Sequence, residues 1–231
     1  MSALPRLWLI RHGQGSLGTD NYDQLSATGW AQTERLGSHL LNAIDRDCTV
    51  ICGQLQRHRQ TLEGLGLGQA VSFDASLNEY TVDQLIQSAI EQADDLGLEV
   101  PDASAFENPK AYLDTFLEWF PGVLDHWQAE RLVCNHNGRW HDFQTRVCAP
   151  LQDWHQALSS GQSVLVVTSA GVISTICAHA IGAPLDWQRD CNVSLYNASI
   201  TVLSVEGGGQ WQLDELNTIS HLDDATLHTL A

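Results

Sequence analysis

Short runs of consecutive apolar residues punctuate this chain. Leu7-Trp8-Leu9-Ile10, residues 49–52 (Thr-Val-Ile-Cys) and residues 163–168 (Ser-Val-Leu-Val-Val-Thr) stand out. Strands buried on both faces of a parallel sheet read this way. Residues 70–73 repeat the pattern more weakly. After the first run, Leu36, Leu40 and Ile44 recur at four-residue spacing, one stripe of an amphipathic helix. Ser26 reads as the N-cap of that helix. Residues 57–65 and 172–181 read as the helices that follow the second and fourth runs. Residues 199–203 and 210–213 pair as a hairpin across Gly207-Gly208-Gly209. Strands alternating with helices predict an α/β fold: a three-layer sandwich, with a mostly parallel sheet flanked by helices and an antiparallel edge.

Between about residues 80 and 162 the strand pattern stops, and this stretch reads as a helical insertion. Residues 82–92 are helical in pattern, and residues 96–108 form a loop. Tyr112, Phe116, Phe120 and Trp127 share one helical face, the arrangement of a core stripe. Pro121-Gly122 is expected to kink or split that helix. Residues 140–155 are helical, with a break at Pro150. The 231 residues suit one domain, 1–231, carrying this insertion at about 80–162.

Charge narrows the partners. The chain has 11 basic and 28 acidic residues, a net charge of −17. Such a surface predicts no nucleic acid and no membrane partner, since phosphate-backbone binding needs clustered Lys and Arg. Lys110 is the one lysine, so anion binding falls to arginines, whose planar fork matches phosphate oxygens, and to backbone amides. The six cysteines include no Cys-x-x-Cys pair, and no His, Asp or Glu cluster has ligand spacing, so no metal and no cofactor is expected. Cys177, in an apolar helical stretch, reads as a buried thiol. With no secretory pattern and no run long enough to span a bilayer, a cytoplasmic setting is the expectation.

Arg11 and His12 stand where the first strand gives out. In open α/β sheets, ligands bind outside the carboxyl ends of the strands. Gly13 and Gly15 would let the backbone approach a ligand there. Arg57 stands at the second strand-to-helix turn, on the same sheet edge. The plain alternatives are a structural histidine and a solvated helix-start cation, the latter a better description of Arg59.

The ordered set Arg11-His12-Gly13, Leu25-Ser26-x-x-Gly29-x-x-Gln32, Arg57-x-x-Gln60-Thr61 and Trp211…Leu216-Asn217…His221-Leu222 resembles the histidine phosphatase superfamily, the phosphoglycerate-mutase-like proteins. The resemblance implies that His12 is a nucleophile and that Arg11 and Arg57 bind phosphate. Glu79, in Leu77-Asn78-Glu79, takes the place of the proton donor. It also implies a departure. Where the family ends the fourth run in a second His, this chain has Ser169, followed by Ala170-Gly171, whose amides open a helix toward the ligand. One lost oriented donor implies weakened activity, unless His136 or His141 reaches in.

The reading is a phosphatase that hydrolyses phosphate monoesters through a phosphohistidine on His12. Its partner is a small phosphorylated substrate or a phosphate-like anion. A non-catalytic phosphate-binding module of the same fold is the alternative. A phosphoglycerate mutase is less favoured, because basic residues for a second acidic group are scarce. So is a Ser169 hydrolase backed by Asp186 or Asp190 and His221: Val167 stands where a nucleophile elbow needs Gly.

Overall fold

The computed structural model describes residues 4–16, 23–41, 43–45, 47–102 and 109–230. Residues 103–108 of the expected loop, residues 17–22 of the loop after the first strand, and the Lys110 and Tyr112 side chains lie outside the described residues.

Six strands form one sheet: β1 (Leu7–Arg11), β2 (Thr49–Cys52), β3 (Val71–Phe73), β4 (Val164–Thr168), β5 (Ile200–Val205) and β6 (Trp211–Thr218). Their order is β3-β2-β4-β1-β5-β6. The first four in that order are parallel, whereas β5 runs antiparallel to β1 and β6 to β5. β6 outruns the four residues expected of it. Its side chains alternate between half-buried and exposed, and the polar residues that interrupt its apolar ones, Asp214 and Glu215 among them, mask its length in sequence.

The pleat sends successive side chains to opposite faces. Leu7 and Leu9 of β1, with Val164 and Val166 of β4, enter one core; Trp8, Ile10, Leu165 and Val167 enter the other. Leu36 and Leu40 of α1 (Ala27–Leu40) and Leu65 of α2 (Gln56–Leu65) close the second core. The first is covered by α3 (Val82–Glu91), α4 (Ala93–Leu96), α5 (Pro109–Gln128), α6 (Trp140–Cys148), α7 (Leu151–Ser159), α8 (Ala170–Ile181) and α9 (Leu185–Ser194). This is the three-layer arrangement expected from the sequence. Between β3 and β4 the described residues contain no strand, and a break at residues 149–150 separates α6 from α7.

Two local expectations differ. Ile44 lies beyond the end of α1 but still packs on the second core. Pro121 does not split α5, which continues to Gln128. A proline inside a helix costs about 3 kcal/mol. Phe120, Val123, Leu124 and Trp127 around it are 0–1% exposed, and each buried side chain of this size contributes about 1.5–3 kcal/mol, so packing outweighs the break. Phe120 stacks on Phe116, and Trp127 meets Tyr80 edge-on, which makes the aromatic stripe core.

Gly13 serves packing. Its amide donates to Thr61 Oγ1 at 3.0 Å, and a Cβ there would stand 2.6 Å from the Gly29 carbonyl oxygen. A Cβ on Gly29 would stand 2.2 Å from the Gln14 carbonyl oxygen. The two glycines let the first turn of α1 touch the loop after β1. Ser26 caps that turn, accepting from the Gly29 amide at 3.0 Å.

Gly29→Ala should therefore cost about 1–3 kcal/mol, as overpacking against backbone does. It should lower the thermal midpoint by several degrees. Gly68→Ala, whose Cβ meets nothing within 4 Å, should stay within about 0.5 kcal/mol of the parent. Equal midpoints for the two variants would contradict the close crossing.

Candidate active site

Because β1, β2 and β4 are parallel neighbours, their carboxyl ends deliver three loops to one edge. Arg11 pairs with Thr168 across β1 and β4. His12 continues the ladder, donating its amide to the Thr168 carbonyl at 2.9 Å. Gly53, just past β2, donates to the Val167 carbonyl at 3.0 Å. Thr168 Oγ1 donates to the Leu77 carbonyl at 2.6 Å, tying the loop that carries Glu79 to the same edge.

His12 is 3% exposed, and its ring is held from both sides. Nδ1 lies 2.7 Å from the Gly13 carbonyl, which only accepts, so Nδ1 carries the proton. Arg57 Nε donates to His12 Nε2 at 3.2 Å, so Nε2 presents its lone pair. Burial, then the charges of Arg57 and Arg11, hold this imidazole well below its ordinary pKa. Neutral His12, with its proton on Nδ1 and its lone pair on Nε2, is the form able to act as a nucleophile.

Arg57 is itself aimed. Its NH1 donates to Asp23 Oδ1 at 2.7 Å. The same carboxylate accepts the amide of Gln56 at 2.9 Å, so Asp23 caps the start of α2 from another loop. Asp23 carries no sequence signal beyond its position before Leu25-Ser26. Arg11 is placed less directly than expected. Its NH2 donates to the Leu230 carbonyl at 2.7 Å and its NH1 to the Leu195 carbonyl, while its charge bears on both His12 and Glu79.

Glu79 meets the N-terminus of α8. Oε2 accepts the Gly171 amide at 2.8 Å and Oε1 the Tyr80 amide at 3.2 Å. A Cβ on Gly171 would collide with Oε1 at 2.5 Å, so only glycine leaves room for the carboxylate. Burial raises the Glu79 pKa despite the opposing pull of those amides and of Arg57 and Arg11. Arg146, from α6, fastens the loop by donating to the Ser76 and Asn78 carbonyls at 2.6 and 2.9 Å. With Gly171 occupied, the α8 amide expected to face a ligand is Ala170's. That amide has no intrahelical acceptor and no other acceptor among the described residues.

Ser169 stands at the N-cap position of α8 but makes no capping bond with its side chain. Its Oγ lies 2.7 Å from His58 Nε2. The buried ring of His58, on α2, lies 5.6 Å from that of His12, centroid to centroid. His58 sits inside the Arg57-His58-Arg59-Gln60-Thr61 motif, but the motif reading assigned it nothing. The packing around it shows only in the fold: a Cβ on Gly53, five residues upstream, would stand 2.2 Å from His58 Nδ1. His136 and His141 are exposed and make no hydrogen bond or ring contact to His12, Arg57, His58 or Ser169.

The elbow reading of Ser169 finds no support in its surroundings. Asp186 and Asp190 are exposed, and Asp190 pairs with Arg189. His221 packs against His39. Among the described residues, no group of three or more His, Cys, Asp and Glu side chains is gathered to hold a metal ion, and no helix is long and apolar enough to cross a membrane.

The depressed histidines carry a pH consequence. His12, His58, His126 and His221, the last held at about 4, bind fewer protons folded than unfolded below pH about 6.5. Their contribution to stability is complete above that value and is lost as pH falls. Glu79, with its raised pKa, works the other way, as one group against four. The thermal midpoint should therefore fall between pH 7.5 and 5.5. A flat profile over that range would mean these rings are not buried in neutral form.

A model of the histidine phosphatase superfamily (branch 1) matches residues 7–219. No curated protein sequence matches. Among solved structures, the putative alpha-ribazole-5'-P phosphatase of Escherichia coli superposes with a TM-score of 0.63 at 21% identity, over 93% of this chain and 98% of that one. Bacillus stearothermophilus YhfR gives 0.64 at 20% identity, over 95% and 100%. The mycobacterial glucosyl-3-phosphoglycerate phosphatase in complex with VO3 gives 0.60 at 21% identity, over 93% and 99%. These likenesses are to the fold. The family match spans the sheet, the His12 edge and the β6 hairpin in one stretch, and by it the chain belongs to branch 1 of the histidine phosphatase superfamily.

Proposed function

We propose that this protein is a phosphatase that hydrolyses phosphate monoesters through a phosphohistidine on His12. The observation that carries this is the two-sided hold on the His12 ring. Nδ1–H is committed to the Gly13 carbonyl, and the Nε2 lone pair faces the Arg57 guanidinium at 3.2 Å. In the reaction, His12 Nε2 attacks phosphorus and the P–O bond to the leaving group breaks. Protonated Glu79 supplies the proton that the leaving oxygen needs. Glu79, now a carboxylate, takes a proton from water as that water attacks phosphorus. The P–N bond then breaks, releasing inorganic phosphate and neutral His12.

Arg57, Arg11, the Ser169 hydroxyl and the Ala170 amide bind the phosphoryl oxygens in this reading, as positioning and charge neutralisation require. Two structural neighbours hold phosphate-like groups. The mycobacterial neighbour holds VO3, and the Entamoeba histolytica phosphoserine phosphatase mutant holds phosphoserine. The helical stretch at about 80–162, part of one domain, shapes the substrate side of the pocket. The partner is a small phosphorylated molecule, the reaction needs no metal or other cofactor, and the expected setting is cytoplasmic.

Mass spectrometry of protein quenched without acid during turnover should find phosphate on His12. His12→Ala should abolish turnover. Phosphate bound without turnover, and no phosphohistidine, would favour the non-catalytic binding module. Glu79→Gln should lower kcat on an alkyl phosphate by about 10²–10⁴-fold and by much less on an aryl phosphate with a good leaving group. Equal losses on the two substrates would remove Glu79 from the acid role.

Vanadate or phosphate should raise the thermal midpoint, with about 2.7 kcal/mol of stabilisation at a hundredfold excess over Kd. Arg57→Ala should remove most of that rise. An undiminished rise would take Arg57 out of the pocket.

A further inference from the structure

We propose that His58 braces the Ser169 hydroxyl as a phosphoryl-binding donor. The pair, one residue from α2 and one from the end of β4, together supplies what a second imidazole at position 169 would supply alone. This rests on the phosphohistidine reading above.

The argument starts from hydrogen-bond accounting. His58 and Ser169 are 0% and 1% exposed. Nε2 of His58 meets Ser169 Oγ at 2.7 Å, while Nδ1 is buried without a partner. A buried N–H with no acceptor is rarer in folded proteins than an unused lone pair. The proton of the neutral ring therefore belongs on Nε2. Nδ1, crowded against the backbone of Gly53, is left as the bare lone pair.

His58 then donates to Ser169, and the Ser169 oxygen accepts. Its own hydroxyl proton has no acceptor among the described residues, since it neither caps α8 nor bonds elsewhere. That proton is available to an anion at the start of α8, beside the Ala170 amide and one strand away from His12. Burial and the neighbouring Arg57 keep the His58 ring neutral, so it acts as a fixed donor. The opposite assignment, Ser169 donating to His58 as a base, would leave Nδ1–H unsatisfied. It would also leave the imidazole without the third group that orients it in nucleophilic dyads. His58 is thus a positioning residue and Ser169 the contacting one.

The distance also carries a steric consequence. An imidazole placed on residue 169 would enter the space that the His58 ring fills. Ser169→His should therefore impair the enzyme while His58 is present and recover once His58 is cut back.

The test is a set of variants measured for kcat/KM on an aryl phosphate and for vanadate Kd, with melting temperatures as the folding control. Ser169→Ala should lose about 10²–10³-fold in kcat/KM, as one oriented donor does. His58→Ala should lose about 10–100-fold, the range of a supporting residue, with vanadate Kd weakened in parallel. The double Ala variant should be no worse than Ser169→Ala, because the two residues act as one unit. Ser169→His should fall below the parent, and Ser169→His with His58→Ala should exceed Ser169→His by at least tenfold. His58→Gln, which keeps an N–H at similar reach, should retain more activity than His58→Ala. Nitrogen NMR on the unmutated protein should show the His58 proton on Nε2, whether or not any variant folds.

Additive losses in the double Ala variant, or a proton on Nδ1, would overturn the proposal. So would phosphate trapped on Ser169. If no phosphohistidine forms but vanadate affinity still follows the His58–Ser169 pattern, the phosphatase reading fails and the donor pair stands.

Discussion

The site depends on how one imidazole is held. His12 is pinned at Nδ1 by the Gly13 carbonyl and faced at Nε2 by the Arg57 guanidinium. The carbonyl places the proton on Nδ1 and the guanidinium keeps a proton off Nε2, so together they admit one form. That hold needs Gly13 to pass against α1 without a Cβ. It needs Arg57 at the first turn of α2, and Asp23 to turn the guanidinium and cap the helix at once. The tight glycine crossing and the helix start are therefore part of the chemistry as much as of the packing.

Charge is organised against the grain of the whole chain. The protein carries a net charge of −17, yet Arg11 and Arg57 bear on one buried His and one Glu. Both groups are driven toward neutrality, His12 by burial and cations and Glu79 by burial against those same cations. An imidazole free of its proton and a carboxyl able to keep one are the two species that phosphoryl transfer with a poor leaving group requires. The loop bearing Glu79 has no sheet of its own to hold it. It is fastened by Thr168 from β4 and by Arg146 from the helical stretch, so that stretch supports the Glu79 loop.

Much of this was legible in the residues. Continuous apolar runs marked the buried strands because both faces of β1, β2 and β4 are covered. Placing Arg11, His12 and Arg57 on one edge needed only the rule that parallel strands end together. Other features were not legible. Pro121 reads as a helix break in any local account, and only the buried neighbours of α5 reverse it. The length of β6 was hidden by the polar residues that interrupt its apolar ones. His136 and His141 drew attention through an unusual stretch of sequence, whereas the histidine that reaches the site lay inside a motif already read.

The sequence by itself determined the α/β class, the mostly parallel sheet with its antiparallel edge, and the residue types gathered at the carboxyl edge, because these follow from periodicity and from short-range rules. Only the tertiary structure decided which donors meet. Ser169 and His58 are 111 positions apart in the chain and 2.7 Å apart in space, and no local pattern encodes that distance. The tautomer of His12, the Glu79 carboxylate on the Gly171 amide and the Asp23 brace on Arg57 are likewise products of elements packing across the sheet. A hydrogen bond depends on tenths of an ångström, which the packed layers set and the spacing of residues along the chain does not.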